Sequence, residues 1–239
     1  MTPSDRAVSA AKPALEYWTQ AQECCDREWE AAYLRFETRA EEEAKFLRRL
    51  RSFGVEQWPR DSRIVELCCG RGSGLSAWRQ LGFSQLEGVD LSATLLAKCP
   101  DAARLYVGDC RDLKLPDSSR DIVAVQGGLH HLSRLPDDVA ATAAEAWRVL
   151  RPGGKFLVVE PWAALFLHFT HALCGQPLAR RLSPRLDALA TMIEREAATY
   201  PAWLSQPDTV WAALTGKFST VRKKIAWGKL QWLGVKPAN

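Results

Sequence analysis

Three glycines between a short apolar run and a helix-like segment are the clearest chemical feature of the sequence. Gly70, Gly72 and Gly74 directly follow residues 64–67, a run of β type. Glycine lets the backbone turn tightly and approach a ligand where a Cβ would collide, and the start of the next helix offers free N–H groups. The loop predicts a ligand site but does not identify the ligand, because dinucleotide-binding folds use such a loop too.

Three acidic residues narrow the choice of ligand. Glu66 stands just before the glycines, where it would repel a pyrophosphate but suit a ligand that carries an ammonium group and a sulfonium. Asp90 follows the next apolar run, where a carboxylate can accept hydrogen bonds from both ribose hydroxyls. Asp109 follows the third run, within reach of an adenine amino group. Together they predict a nucleoside ligand with a positively charged tail.

Candidate acid–base residues follow the fourth and fifth apolar runs. His130 and His131 titrate near neutral pH, so either could act as a general base on a bound hydroxyl or ammonium group. The alternative is that one of them caps a helix or fixes the loop. Glu160 could orient an acceptor molecule, or simply end its strand at the solvent.

The elements that must position these residues alternate between strand and helix. Residues 14–52 are expected to be helical, and Ser92 is a plausible N-cap for a helix through Lys98. Further helices are predicted at 75–81, 136–150 and within 161–210, and strands at 64–67, 86–89, 105–107, 121–125, 155–159, 221–227 and 230–235. The last two strands flank Gly228-Lys229 and indicate a hairpin.

Alternating strands and helices predict an α/β fold with an open, Rossmann-like, doubly wound sheet. In such sheets, ligands bind at the carboxyl ends of the strands, which is where each polar residue singled out above lies. One structural domain is expected, with three parts along the chain. These are a helical lid segment at 1–55, a core at 56–160 and 211–239, and a helical cap inserted at 161–210.

Residues 63–160 resemble the class I S-adenosylmethionine-dependent methyltransferases, especially those acting on small molecules (the type 11-like group). The matching pieces, in the right order and spacing, are 66–74, Gly88-Val89-Asp90, Gly108-Asp109-Cys110, the stretch from Leu115-Pro116 to Asp121, and 148–154. The resemblance implies a mostly parallel seven-stranded sheet with an antiparallel last strand. It also implies S-adenosylmethionine as cofactor.

The resemblance assigns roles to the loop and the lid. Gly70 and Gly72 would pack against the methionine part of the cofactor, with Glu66 near its amino group. Cys68 stands where the family usually has glycine, so the first turn must accommodate a side chain. Tyr17, in the expected lid helix, would press on the sulfonium by a cation–π contact, or simply pack within an amphipathic helix.

The resemblance also assigns roles at the other strand ends. Asp90, with its neighbour Leu91, would hold the ribose, and Asp109 with the backbone at Cys110 would contact the adenine. Gln126 would line the channel close to the sulfonium. Of the two histidines, His131 occupies the position that is most often histidine in the family.

Composition and motifs exclude several function classes. The chain has 239 residues with 32 basic and 28 acidic ones, and no basic stripe indicates a nucleic-acid partner. Residues 126–129 read Gln-Gly-Gly-Leu, not the Asp/Asn-Pro-Pro-Tyr type of nucleic-acid amino methyltransferases. Seven cysteines without a CxxC spacing predict free thiols, and no metal site is expected. A polar N-terminus and the lack of a long apolar run predict a soluble, cytoplasmic protein without membrane insertion.

Three functions therefore stay open at this point. The leading one is methyl transfer to a small molecule, on oxygen, nitrogen or carbon, with the cap supplying specificity. The same fold could instead transfer another sulfonium substituent or cyclise the cofactor, or serve as a non-catalytic cofactor-binding scaffold. Apolar residues of the cap would line an acceptor pocket or form a homodimer surface.

Overall fold

A computed structural model describes residues 13–22, 25–100 and 103–238, and eight strands of this part of the chain form one sheet. The strands are β1 Leu15–Tyr17, β2 Ile64–Leu67, β3 Leu86–Asp90, β4 Arg104–Val107, β5 Arg120–Gln126, β6 Leu150–Pro161, β7 Ser219–Ala226 and β8 Lys229–Val235. Their order in the sheet is β1-β4-β3-β2-β5-β6-β8-β7. Only the pairs that involve β8 are antiparallel. The expected α/β fold with an antiparallel last strand is thereby confirmed.

Helices cover both faces of the sheet and its carboxyl edge. They are α1 Arg27–Phe36, α2 Arg39–Ser52, α3 Ser73–Gln80, α4 Ala93–Leu96, α5 Asp137–Val149, α6 Leu165–Cys174, α7 Pro177–Leu182, α8 Pro184–Arg195, α9 Tyr200–Ser205 and α10 Pro207–Thr215. Short 3₁₀ turns lie at Val55–Gln57 and Leu129–His131. The predicted hairpin is confirmed, with its turn at Trp227 and Gly228.

The central strands are buried on both faces because their apolar residues are continuous. Successive side chains of a strand point to opposite faces. Ile122 and Ala124 of β5 therefore join the core beneath α2 and α3, whereas Val123 and Val125 join the core beneath α5 and α10. This two-sided burial is the physical basis of the doubly wound architecture, and it fixes which edge of the sheet is free to bind a ligand.

The N-terminal segment differs from the single helix expected over residues 14–52. Leu15–Tyr17 pair in parallel with β4 and add an eighth strand at the sheet edge. The helical part starts only at Arg27 and is broken before Arg39, because Thr38 forms a capping box with Glu41 that starts a new helix. The spacing Thr-x-x-Glu is visible in the sequence and could have revealed this break.

A buried carboxylate joins the N-terminal helices to the glycine loop. Glu42 of α2 accepts hydrogen bonds from Tyr33 Oη at 2.8 Å, Arg71 Nε at 2.7 Å and Ser73 Oγ at 2.7 Å. Burial alone would raise the pKa of Glu42, but the Ser73 hydrogen bond and the charges of Lys45 and Arg71 lower it below its ordinary value. The carboxylate is thus ionised and pulls α1, α2 and the loop into one unit.

The helices after β6 form a cap that packs against α1. Trp29 Nε1 of α1 donates to Glu196 Oε1, just after α8, at 2.6 Å. Trp203 Nε1 of α9 donates to the Pro161 carbonyl at 2.8 Å, which fastens the cap to the end of β6. Residues 1–12 of the predicted lid segment and Cys24 lie outside the described residues. Among the described helices, none has the length and apolarity needed to cross a membrane.

The buried hydrogen bonds of Glu42 predict a loss of stability when this residue is substituted. Removing its carboxylate in Glu42→Ala would leave the buried Arg71 guanidinium without its partner, at a cost of about 3 kcal/mol in the free energy of unfolding. Glu43→Ala, one residue along the same helix, removes only weak surface contacts to Arg39 and Gln80 and should cost less than about 1 kcal/mol. Equal losses for the two variants in urea denaturation would contradict the role assigned to Glu42.

Candidate functional site

A cavity of about 750 Å³ lies at the carboxyl edge of the parallel strands. The sheet forms its floor, α1 and α2 close one side, and the cap closes another. Cavities of roughly 300–1,000 Å³ are the usual size for small-molecule and cofactor sites. The position is the one that the doubly wound topology predicts.

The structure brings most of the predicted cofactor residues together. The residues from that set that line the cavity are Glu66, Cys68, Gly70, Asp90, Leu91, Asp109, Cys110 and Gln126. Gly72 and Tyr17 are not among them. Gly72 is the buried N-cap of α3, where it packs near the Cys99 thiol. Tyr17 lies on the edge strand β1 with 59% of its surface exposed, away from the helix that was expected to carry it.

Asp90 joins the loop to the end of β3. Its Oδ2 accepts a hydrogen bond from the Gly70 amide at 2.8 Å, and its Oδ1 accepts one from the Ser92 amide at 2.8 Å. Each carboxylate oxygen has a second lone pair, so the group can still accept hydrogen bonds from a ligand. The geometry therefore suits the predicted contact with two ribose hydroxyls.

Glu66 and Gln126 both line the cavity with incomplete hydrogen bonding. Within the described part of the chain, Glu66 Oε2 and both polar atoms of the Gln126 amide have no hydrogen-bond partner. Burial raises the pKa of Glu66 to about 8. Gly74 leaves the space for this carboxylate, because a Cβ there would lie 1.9 Å from Glu66 Oε1.

These orphaned atoms provide a test of whether the expected cofactor fits. Buried polar groups are nearly always hydrogen-bonded, so an unsatisfied carboxylate and amide at a cavity wall indicate a polar ligand. A cationic amino group would satisfy Glu66, and Asp90 would accept from a ribose. The residues present therefore fit S-adenosylmethionine, with Glu66, Gly70, Asp90 and Gln126 as the groups that would hold it.

Cys68, where the resembling family usually has glycine, is accommodated by a glycine elsewhere. Cys68 has a φ of 53°, the left-handed conformation that glycine normally supplies. Its side chain fits because residue 128 has none, as a Cβ on Gly128 would lie 2.2 Å from Cys68 Cβ. A hydrogen bond with Cys110, together with burial, raises the pKa of the Cys68 thiol well above its ordinary value. The loop thus keeps its shape with a neutral thiol at this position.

Asp109 is more heavily engaged by the protein than the sequence suggested. Arg111 Nε donates to its Oδ1 at 2.9 Å, and Arg111 Nη2 donates to its Oδ2 at 2.6 Å. Arg111 also pairs with the buried Asp138 at 3.0 Å. Although burial opposes it, the hydrogen bonds from Arg111 lower the pKa of Asp109. Asp109 still lines the cavity, so its predicted contact with an adenine amino group is compatible with this pairing.

Glu160 lies neither at the solvent nor in the cavity. Its side chain is 0% exposed, and it accepts hydrogen bonds from the amides of Gly128 and Leu129 at 2.8 and 2.9 Å. His130 Nδ1 lies 2.7 Å from its second oxygen. Burial would raise the pKa of Glu160, but these hydrogen bonds, with that of His130 foremost, lower it. An ionised Glu160 only accepts, so His130 Nδ1 carries the proton, and Glu160 acts as a positioning residue for the loop after β5.

The two histidines lie side by side at the cap end of the cavity. Their ring centroids are 4.1 Å apart, and both line the cavity. His130 is buried and His131 is half-buried. Tyr200 and Glu196 of the cap and Trp29 of α1 surround them. The predicted pair thus lines the same cavity as the predicted cofactor residues.

The remaining walls come from residues that the sequence analysis did not single out. Trp29, Tyr33 and Phe36 of α1 line the cavity in place of Tyr17. Their spacing of four and three residues marks one helix face, which is the signal that could have revealed them. Met192 of the cap packs in one apolar cluster with these residues, and Leu167 of the cap also lines the cavity.

Two cationic side chains also line the cavity without an ion-pair partner in the described residues. Arg49 comes from α2, and Lys229 is the first residue of β8, directly across from Pro161. Burial lowers the pKa of Lys229 to about 8 and also lowers the pKa of Arg49. Such groups can bind a carboxylate or another anionic group of a ligand.

Comparisons with known proteins show which families this chain is similar to. Residues 65–158 match the family model described as a methyltransferase domain. A ubiquinone/menaquinone biosynthesis C-methyltransferase from Geotalea daltonii is 28% identical over 151 residues, 53% of this chain and 63% of that protein. A demethylmenaquinone methyltransferase from Symbiobacterium thermophilum is 31% identical over 108 residues, 41% of each chain. The matches thus span less than two thirds of these relatives.

Solved structures support the fold. A protein from Pyrococcus horikoshii superimposes with a TM-score of 0.58 at 18% identity, over 80% of this chain and 89% of that one. An S-adenosylmethionine-dependent methyltransferase from Mesorhizobium loti superimposes with a TM-score of 0.52 at 20% identity. The superposition covers 77% of this chain and 96% of that one. The family domain, the named relatives and the fold confirm the resemblance found in the sequence, and the cofactor of this family and fold is S-adenosylmethionine.

The position of Asp90 predicts a loss of cofactor affinity on substitution. Asp90→Ala removes a charged acceptor for the ribose and should weaken S-adenosylhomocysteine binding at least about 10-fold, since a hydrogen bond to a charged group contributes ~1.5–3 kcal/mol. Asp112→Ala, which removes an exposed carboxylate paired with Lys114, is the matched control and should bind normally. Calorimetric affinities that are equal for the two variants would refute the ribose assignment.

The raised pKa of Glu66 predicts an unusual pH dependence. Its folded-state pKa is about 8, against an ordinary 4.5, so the folded protein holds a proton that the unfolded chain has lost. The contribution of Glu66 to stability therefore falls as pH rises from about 5 to about 8. Glu66→Gln should remove this slope, so the ligand-free variant gains stability over the native protein as pH rises. If the unfolding free energies of the native protein and of Glu66→Gln change with pH in the same way across this range, Glu66 is not buried and protonated in the folded protein.

Proposed function

We propose that this chain, an S-adenosylmethionine-dependent methyltransferase by its domain and fold, transfers the cofactor's methyl group to a small molecule held under the cap. The observation that carries the proposal is the single cavity shared by two sets of residues. Glu66, Asp90 and Gln126 line one part of it, and His130 and His131 line the other. A donor and an acceptor bound in these two parts would lie next to each other.

The residues divide the work of the reaction between them. When bound, S-adenosylmethionine would supply the methyl group for direct displacement by the acceptor atom, and its sulfur would keep the electron pair of the broken bond. Glu66 and Asp90 would hold the donor by its amino group and ribose. Holding two reactants in line can contribute ~7–11 kcal/mol to lowering the barrier.

Activation of the acceptor falls to the histidine pair. A hydroxyl or ammonium acceptor must lose a proton for methyl transfer. His131 is half-buried at the cavity wall and is the group best placed to act on it, with His130 behind it. Glu160 acts indirectly, because it fixes the His130 ring and the loop amides. All three predicted catalytic residues thus have a role, but only the histidines would touch the acceptor.

The acceptor that suits the cavity has an apolar body and an ionisable or anionic group. Trp29, Phe36 and Met192 provide apolar contact area, whereas Arg49 and Lys229 provide positive charge. The relatives named for ubiquinone/menaquinone biosynthesis and for demethylmenaquinone support a search that includes quinone-related compounds. A cytoplasmic location and a homodimer remain predictions from the sequence.

Substitution of His131 tests the proposal. His131→Ala should lower kcat by about 100-fold or more, the scale expected when activation of a nucleophile is lost, while S-adenosylhomocysteine affinity stays unchanged. Ser205→Ala, at an exposed cap residue that does not line the cavity, is the control. The assay measures S-adenosylhomocysteine release with a panel of phenolic, quinol and carboxylate acceptors.

The products separate the open alternatives. S-adenosylhomocysteine that forms only with an acceptor supports methyl transfer. Release of methylthioadenosine instead would favour transfer of another sulfonium substituent or cyclisation of the cofactor. Tight cofactor binding without turnover across the panel would favour a non-catalytic scaffold.

A further inference from the structure

Three side chains at the cap end of the cavity form a compact set of metal-binding groups. His130, His131 and Glu196 each offer one ligand atom, and these atoms all lie within 4.8 Å of one another. His130 and His131 come from the turn after β5, and Glu196 comes from the cap. We call them the histidine–glutamate cluster. Glu196 is distant along the chain, so no spacing motif in the sequence could reveal the cluster.

Two members of the cluster have their other polar atom fixed by the protein. His130 Nδ1 is held by the buried Glu160 carboxylate at 2.7 Å. Glu196 Oε1 accepts from Trp29 Nε1 at 2.6 Å. A carboxylate behind a ligating histidine is the usual outer support of a protein metal site, since it sets the ring tautomer and orientation. In this protein the hydrogen bond from His130 Nδ1 to Glu160 leaves the lone pair of His130 Nε2 directed away from Glu160.

The second polar atoms of His130 and Glu196 lie near each other, and the distance between them distinguishes a hydrogen bond from a pair of metal ligands. His130 Nε2 and Glu196 Oε2 are 3.7 Å apart. This is longer than a hydrogen bond of ~2.7–3.2 Å. Two ligands bound to one tetrahedral zinc ion at ~2.1 Å each lie ~3.4 Å apart. The pair is thus spaced more like two ligands of one ion than like a direct hydrogen bond.

We propose that the histidine–glutamate cluster binds one divalent first-row transition-metal ion, such as Zn²⁺, at the acceptor end of the cavity. Two imidazole nitrogens and one carboxylate oxygen are ligands that these ions accept. Three protein ligands with a further position open to a cavity are typical of catalytic zinc sites. All three side chains line the cavity, so an acceptor heteroatom or a water molecule could complete the coordination.

The ion would change the role of the histidines in the proposed function, because as ligands they would hold the ion and would not take the acceptor's proton themselves. A bound cation stabilises the deprotonated form of a coordinated hydroxyl or thiol, whose proton leaves to solvent. The heteroatom then attacks the methyl carbon as described above. This role rests on the proposed methyl transfer, whereas binding of the ion does not, so the two can fail separately.

The test uses the full chain after chelator treatment, without cofactor or acceptor. Titration with Co²⁺ should give a saturable visible absorption with one ion per chain, which Zn²⁺ then displaces. His131→Ala and Glu196→Gln should each weaken Co²⁺ binding at least about 10-fold. Glu160→Gln, which alters the support behind His130 and also the acceptor of the Gly128 and Leu129 amides, should weaken it by about 10- to 100-fold. His171→Ala, which alters another histidine of the same cavity, is the control and should bind Co²⁺ normally.

Calorimetric binding of S-adenosylhomocysteine shows that each variant is folded. One Co²⁺ per chain that is lost in the cluster variants and kept in His171→Ala supports the site. No stoichiometric binding of Co²⁺ or Zn²⁺ to the folded native chain overturns it. Binding that is equally strong in His131→Ala and Glu196→Gln also overturns it, because the ion would then lie elsewhere.

Discussion

The arrangement of the site depends on one buried ion, the carboxylate of Glu160 at the end of β6. A charge with no exposure to water is tolerated only if donors surround it, and the turn after β5 supplies them through two amides and His130. These bonds fix the turn, and with it Gly128, whose lack of a side chain makes room for Cys68 in the glycine loop. One carboxylate therefore couples the acceptor end of the cavity to the loop at the cofactor end.

A second buried carboxylate, that of Glu42, couples the N-terminal helices to the glycine loop. Glu42 binds Tyr33 of the lid helix and both Arg71 and Ser73 of the loop. The cap is attached in turn through Trp29 and Glu196. Lid, loop and cap are thus joined by polar contacts over an open cavity, whereas the sheet itself is held by apolar packing. This division gives the site defined walls without filling it with side chains.

Periodicity in the sequence was enough to predict the sheet, since each central strand is a continuous apolar run and each glycine loop follows a strand. It also placed Glu66, Asp90, Gln126 and the histidines at one edge. It failed where the outcome depended on tertiary pairing. The segment at residues 15–17 becomes a strand only because β4 offers a free edge. Glu160 is buried only because residues thirty positions earlier fold over it, and Glu196 meets the histidines only through the cap.

The acidic groups of the site fall into two classes that the structure separates by their hydrogen bonds. Glu42 and Glu160 are buried, receive three donors each from the protein and have lowered pKa values. Glu66 is equally buried, but one of its oxygens has no partner in the described chain, and its pKa is raised to about 8. A carboxylate satisfied by the fold is structural, whereas one left unsatisfied retains the capacity to bind a cation. The raised pKa of Glu66 thus marks the place where the protein is completed by its ligand, because a bound ammonium group would return this carboxylate to its charged form.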